Sequence, residues 1–296
     1  SSFGSYAISI WCINRHADDP RTILEVVGAR TPRLPLFIII ESFENIMKIT
    51  AFTSMDRKYY DKVGERMIDS FHEHWGIDLI IYWEGDDPIK HNGWVVDLVE
   101  DTDLRAFRER NKDKPHQNEP DNLHHGACRF APKAYSIIHR LRDARATGHS
   151  IWIDADVFTH TSPDEDLFKA IISPYTMLSY LGRKNNYTET GFMVFNHGHP
   201  SIDEFTRIYA AMYDDDLIFK LPQWHDCMPF DYARTRCYGV ANLDLSPPGS
   251  QGYDHVFINS ILGDYMDHMK GPRKNAGSSH STHFTREMTS DYWSDK

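Results

Sequence analysis

From Met47 onward the chain keeps switching between short apolar runs and longer amphipathic stretches of period near 3.6, and this alternation restricts the folds open to it. Met47–Thr53 alternates like a buried first strand and runs into Ser54 and Asp56, residue types that start helices. Tyr59–Trp75 then sets Tyr60, Val63, Met67, Ile68 and Phe71 on one helical face. Ile77–Tyr82 reads as a second strand, Val95–Val99 as a third and Asp103–Arg110 as a short helix. Residues 111–122, NKDKPHQNEPDN, form a polar loop with two prolines, long enough to suggest either a functional lid or a disordered segment. Phe130–Arg145 is amphipathic with Ala134, Ile137, Ile138 and Leu141 inward; Gly148 ends it, and Ile151–Ile153 follows as a buried strand. Further on come a helix near Asp164–Ile171, strands near Met177–Tyr180 and Gly191–Phe195, and helices over Ile202–Tyr213 and Phe257–Leu262. The order predicts an α/β chain: a doubly wound, mostly parallel mixed sheet flanked by helices, with ligands bound at strand carboxyl ends.

Residues 1–46 carry Pro20, Pro32 and Pro35 among short apolar runs that follow neither period, so they read either as a peripheral or non-native extension or as a packed N-terminal segment, and residues 47–296 as one domain. On the first reading, removal of residues 1–45 leaves a folded, active protein. Hydrophobic residues make up 41% of the 296, enough for a core of ordinary size. The net charge of −11 makes nucleic acid a poor partner, because phosphate binding depends on clustered Lys and Arg. Cys12, Cys128, Cys227 and Cys237 form no C-x-x-C pair and point to a reducing compartment. The run Leu36–Ile40 falls far short of the ~20 apolar residues that span a bilayer, so no membrane span and a cytoplasmic location are expected.

The sharpest local signal is Ile151-Trp152-Ile153-Asp154-Ala155-Asp156-Val157. An apolar strand delivers two carboxylates, separated by one small residue, to an end expected to open to solvent. Carboxylates that close repel unless a cation lies between them or one is protonated. Hard divalent cations such as Mn²⁺ or Mg²⁺ take oxygen ligands and bridge carboxylates to substrate phosphates. The plain alternative is that Asp154 and Asp156 cap the next turn.

With these residues the chain resembles the GT-A class of nucleotide-sugar-dependent glycosyltransferases, whose signature is a mid-chain apolar strand ending in D-x-D. The resemblance covers Met47–Phe284, and three further features match. His268-Met269-Lys270-Gly271-Pro272-Arg273-Lys274 looks like the H-x-x-G-x-x-K element of glycogenin-like and galactosyltransferase-like members, although Asn275-Ala276 stands where those families place Pro-Trp. The resemblance implies that His268 is a third metal ligand beside Asp154 and Asp156, and that Lys274 contacts the donor diphosphate. Glu189-Thr190-Gly191 precedes a strand as in the family, which implies that Glu189 orients sugar hydroxyls while Gly191 lets the backbone approach the donor. Thr53 and Ser54 at the expected end of the first strand, Arg129 and Lys133 on the helix before the acidic pair, and Ala155 and Gly271 complete the implied donor contacts. The expected donor is a nucleoside-diphosphate sugar, with UDP favoured; the acceptor is a saccharide, lipid-linked or protein hydroxyl, and the cofactor Mn²⁺ (or Mg²⁺).

Asp226, in Gln223-Trp224-His225-Asp226, is the candidate base that an inverting enzyme would need; a retaining one needs none. The spacing of His280 and His283 is read as incidental, and Asp214-Asp215-Asp216 as a solvated face. Rival readings fit less well. Haloacid-dehalogenase-type phosphatases place their acidic pair after the first strand and a Thr or Val where Phe158 stands. Nucleotidyltransferases carry a Gly-rich loop after that strand, whereas Thr53–Arg57 has no Gly. A non-catalytic sugar- or partner-binding module would draw on the aromatic residues, 13% of the chain.

Overall fold

The computed structural model describes residues 48–89, 91, 93–115, 125–252 and 254–296, all within one compact unit. The expectations for residues 1–46, for Met47 and for most of the 111–122 loop lie outside the described residues.

Seven strands form a mixed sheet in the order β3-β2-β1-β4-β7-β6-β8: β1 Ile49–Asp56, β2 Asp78–Glu84, β3 Trp94–Asp97, β4 His149–Ile153, β6 Leu178–Leu181, β7 Glu189–Asn196 and β8 Leu243–Asp244. β1 pairs in parallel with β2 and β4, and β2 with β3, whereas β7 runs antiparallel to both β4 and β6. The chain is thus an α/β fold with a mostly parallel sheet. Both faces of that sheet are covered, so β4 is buried throughout and β1 is buried from Thr50 to Thr53. On one face Phe52 and Trp152 pack against the Ala127–Arg142 and Ile202–Asp214 helices. On the other, Ala51, Ile151 and Ile153 pack against Met67, Ile68 and Phe71 of the Glu65–His74 helix.

Helix ends follow local chemistry. Asp56, Asp101 and Asp164 each cap a helix start by accepting a backbone N–H from Tyr59, Leu104 and Leu167. β1 runs on to Asp56, so Thr53 is fully buried inside the strand rather than at its end, and Ser54 is half-buried. The helix after β1 contains one π turn, Tyr60–Gly64. The Ala127–Arg142 helix starts earlier than expected and tolerates Pro132 inside it. Proline supplies no N–H to the carbonyl one turn back, and the Arg108 guanidinium donates to that Cys128 carbonyl instead, at 3.4 Å.

Several expectations need correction. The Phe257–Leu262 helix resolves into two short turns, Val256–Asn259 and Ile261–Asp264. The acidic run is solvent-exposed at Asp214 and Asp215, as expected, and it is also paired: Asp216 accepts hydrogen bonds from Arg110 and Asn111, and Asp214 accepts one from Tyr135. Not anticipated were the Cys227–Arg236 helix and a separate antiparallel ribbon of β5 Val157–Thr159 with β9 Met266–His268. His280 caps the turn Ser281–His283. Cys128, Cys227 and Cys237 are free thiols. No helix among the described residues is long and apolar enough to cross a membrane.

Candidate functional site

Three chain segments meet where the sheet changes from parallel to antiparallel. β4 ends at Ile153, and the Asp154 amide donates to the Gly191 carbonyl of β7 at 2.9 Å. The Asp154 carbonyl accepts from the Val157 amide at 3.0 Å, a tight turn that holds Asp156 beside Asp154. Pairing of Val157 with His268 in the small ribbon then lays the imidazole across both carboxylates. His268 Nε2 lies 3.1 Å from Asp156 Oδ1 and 3.8 Å from Asp154 Oδ2.

Asp156 is buried, at 3% exposure, and not at a solvent-facing strand end as the pattern suggested. It receives the Tyr59 hydroxyl at 3.0 Å and the Lys274 ammonium at 2.9 Å. Burial alone would oppose its ionisation, but His268 and Lys274 outweigh that and hold its carboxyl well below the usual range. Burial likewise disfavours the His268 cation, yet the charges of Asp156, Glu189 and Asp154 raise its pKa above the ordinary value. A ring so placed holds either a proton or a metal cation against the carboxylates. Tyr59, half-buried and beside Asp156, is pushed so far up by desolvation and by the Asp156 charge that it stays a neutral donor.

Lys133 binds both acidic groups beneath this cluster. Its ammonium lies 2.7 Å from Asp154 Oδ1, 2.8 Å from Asp226 Oδ2 and 2.8 Å from the Thr190 carbonyl. The Thr190 hydroxyl donates to Asp226 at 2.6 Å, and the Trp152 indole donates to Asp154 at 2.7 Å. Burial raises the Asp226 carboxyl, but Lys133 and Thr190 reverse this and leave it far below the usual range. Glu189 is clamped by Lys270 at 3.1 Å, with Arg183 at 3.7 Å. Against the cost of burial, Lys270, His268 and Arg183 lower its pKa to about 2.

The donor set suits a hard or borderline divalent cation. Asp154, Asp156 and His268 each offer one atom, and these lie within 4.8 Å of one another. Asp156 holds the Nε2 side of the His268 ring, while the buried Nδ1 has no hydrogen-bond partner, so that side is held by packing. Gly191 supplies that packing surface, for a Cβ there would stand 2.5 Å from His268 Cε1.

The expected residues Asp154, Asp156, His268, Glu189, Lys133, Gly191, Asp226 and Lys274 therefore converge, and Ala155 is buried between the carboxylates. Gly271 adopts φ +64° with open space where a side chain would project, so it turns the chain between Lys270 and Lys274. Arg129 is exposed and reaches the cluster through its charge on Tyr59. Tyr59, Trp152, Thr190, Arg183 and Lys270 belong to the cluster but were not singled out from sequence. Trp152, Thr190 and Lys270 had a signal, lying inside the acidic motif, the Glu189–Gly191 stretch and the His268–Lys274 element.

No family model matches the sequence, and no curated protein matches it. Among solved structures the chain is similar to the crystal structure of a glycosyltransferase involved in the glycosylation of the major capsid of PBCV-1, at 14% identity and a TM-score of 0.44, over 77% of this chain and 98% of that one.

Proposed function

We propose that the chain is a metal-dependent glycosyltransferase that moves a sugar, most simply a hexose, from a nucleoside-diphosphate donor to an acceptor hydroxyl. The observation that carries this reading is the convergence of Asp154, Asp156 and His268 at the sheet's switch point, with Lys274 on the same carboxylate. These three side chains would hold Mn²⁺ or Mg²⁺. A cation held there neutralises charge that builds on a departing nucleoside diphosphate.

Lys274 turns from Asp156 to the diphosphate oxygens, a charge-assisted contact that ammonium groups make readily. Lys133, fixed by Asp154, Thr190 and Asp226, keeps Asp154 oriented and neutralised on its inner side. Asp226 is reassigned from base to positioning residue, because a carboxylate stabilised by a lysine and a threonine is a weak proton acceptor. That favours transfer with retention of anomeric configuration. Glu189, held ionised by Lys270 and Arg183, presents a carboxylate to sugar hydroxyls. UDP is the favoured nucleotide, and a saccharide, lipid-linked or protein hydroxyl the favoured acceptor.

A screen of UDP- and GDP-sugars with Mn²⁺, repeated with EDTA, tests this reading. Release of nucleoside diphosphate that stops with EDTA is expected. Formation of pyrophosphate would instead mark a nucleotidyltransferase, and donor binding with no turnover a binding module. Duplex DNA should not bind in a salt-steep manner.

A further inference from the structure

At the other end of the sheet, by the amino ends of β1 to β3, lies a cavity of about 480 Å³. Its floor is a single sheet face. Ile80 pairs with Trp94 and Tyr82 with Val96 in parallel register, so these four side chains stand together. Trp94 is 63% exposed, unusual for so large an apolar group. Its wall is the carboxyl end of the Ala127–Arg142 helix and the turn after it, with Lys48 at the rim.

The lining keeps unused hydrogen-bonding capacity at Arg140, Tyr82 and Lys48, whereas Arg142 pairs with Asp214 and His139 with Asp101. Arg140 is buried; its Nε donates to Ser150 Oγ at 2.8 Å, while its terminal nitrogen stands 3.6 Å from Asp143, beyond hydrogen-bond reach. Asp143 itself is taken by Arg145 at 2.9 Å. Among the described residues the Tyr82 hydroxyl makes no hydrogen bond, and Lys48 no ion pair. The cavity lining carries Lys48, Arg140, Arg142 and Arg145 against Asp78 and Asp143, an excess of cations in a chain whose net charge is −11. Buried guanidinium groups whose donors go unused are costly, and an anion is the partner that removes the cost.

We propose that this cavity binds a small organic anion, its phosphate or carboxylate head on Arg140, Tyr82 and Lys48 and its flat apolar body against Trp94, Ile80 and Val96. The site is separate from the acidic cluster, which lies at the carboxyl ends of β1 and β4, and does not depend on the function proposed for that cluster. Its ligand reaches β4 through the Arg140–Ser150 hydrogen bond.

Isothermal titration of the full chain with phenyl phosphate and with benzoate tests the assignment, with inorganic phosphate and benzyl alcohol as probes of head and body alone. One-to-one binding of an aryl anion, about tenfold tighter than either half, is expected. Arg140 is buried and its loss risks the fold, so the exposed positions carry the test. Lys48→Gln should weaken binding about tenfold, and Trp94→Ala about fivefold, while donor hydrolysis stays unchanged in both. No binding, or binding that Lys274→Ala removes and Lys48→Gln leaves alone, would overturn the proposal.

Discussion

Gly191→Ala tests the site through a residue that touches no metal. The φ of Gly191 is not in the left-handed region, so a side chain there meets a problem of space and not of backbone. The added Cβ would stand 2.5 Å from His268 Cε1 and 2.8 Å from Nδ1. The ring must retreat by roughly 1 Å to reach ordinary contact. It has little room, being fully buried with Phe257 at 5.1 Å and Asp156 on its far nitrogen. Overpacking of this kind costs about 1–3 kcal/mol, which lowers the melting temperature by roughly 2–4 °C per kcal/mol in a domain of this size. Displacing a catalytic group by ~1 Å costs on the order of 10²-fold in rate. We therefore expect a folded variant, slightly less stable, with donor turnover down about 100-fold and Mn²⁺ affinity down 10- to 100-fold, roughly the range for disturbed ligand support. Electron paramagnetic resonance of free Mn²⁺, donor hydrolysis and a melting curve measure the three quantities. A variant that melts lower yet binds Mn²⁺ and turns over like the parent would show that His268 takes no part in holding the cation.

Asp156→Asn should abolish metal-dependent turnover and also lower stability, by ~3 kcal/mol, because it strips the charge from buried His268 and Lys274 together; unchanged activity in Mn²⁺ would remove Asp156 from the site. Lys274→Ala should raise the donor KM or lower kcat/KM by about 10- to 100-fold, the worth of one charge-assisted bond, and initial rates with a hydrolysed UDP-sugar measure it. Asp101→Ala removes a helix cap and the 2.7 Å partner of His139, costing ~1 kcal/mol, whereas Asp101→Asn keeps the cap and loses less. Burial would raise the Asp101 carboxyl, but His139 and the Leu104 amide lower it. Its contribution is therefore complete above its unfolded pKa near 4 and fades as pH falls below that, so the parent and Asp101→Ala melting curves should converge toward pH 3 and separate by pH 6.

The acidic pair was legible because everything that marks it is local: an apolar strand, a small spacer and two carboxylates within seven residues. His268 and Lys274 were legible through a spaced element. What lay beyond reach was the set of partners that geometry adds. Tyr59 contacts Asp156 across 97 residues of chain, which no periodicity records. Strand ends were misread where pairing overrides pattern: β1 continues past Thr53 because β2 continues beside it to Glu84. The β5–β9 ribbon escaped notice because three-residue strands carry no alternation worth reading. The Cys227–Arg236 helix mixes polar and apolar residues without a clear face, so only its packing against the Ile202–Asp214 helix defines it. Asp226 was found by position, but the Lys133 and Thr190 contacts against it are not recorded in the sequence.

The ribbon that carries His268 has a consequence for biosynthesis. A ribosome delivers Asp154 and Asp156 long before the imidazole, which follows Asp156 by 112 residues. The loop this closes is about as long as the one that pairs β4 with β1, where Ile49 faces His149, so the ring is late because of its place in the chain. A nascent chain that ends between β8 and β9 keeps every segment of the central sheet but leaves its two carboxylates without the ring that spans them. If the cluster holds Mn²⁺ as proposed, a product that ends before β9 lacks one of its three ligands and should bind the cation more weakly, however well its sheet has formed.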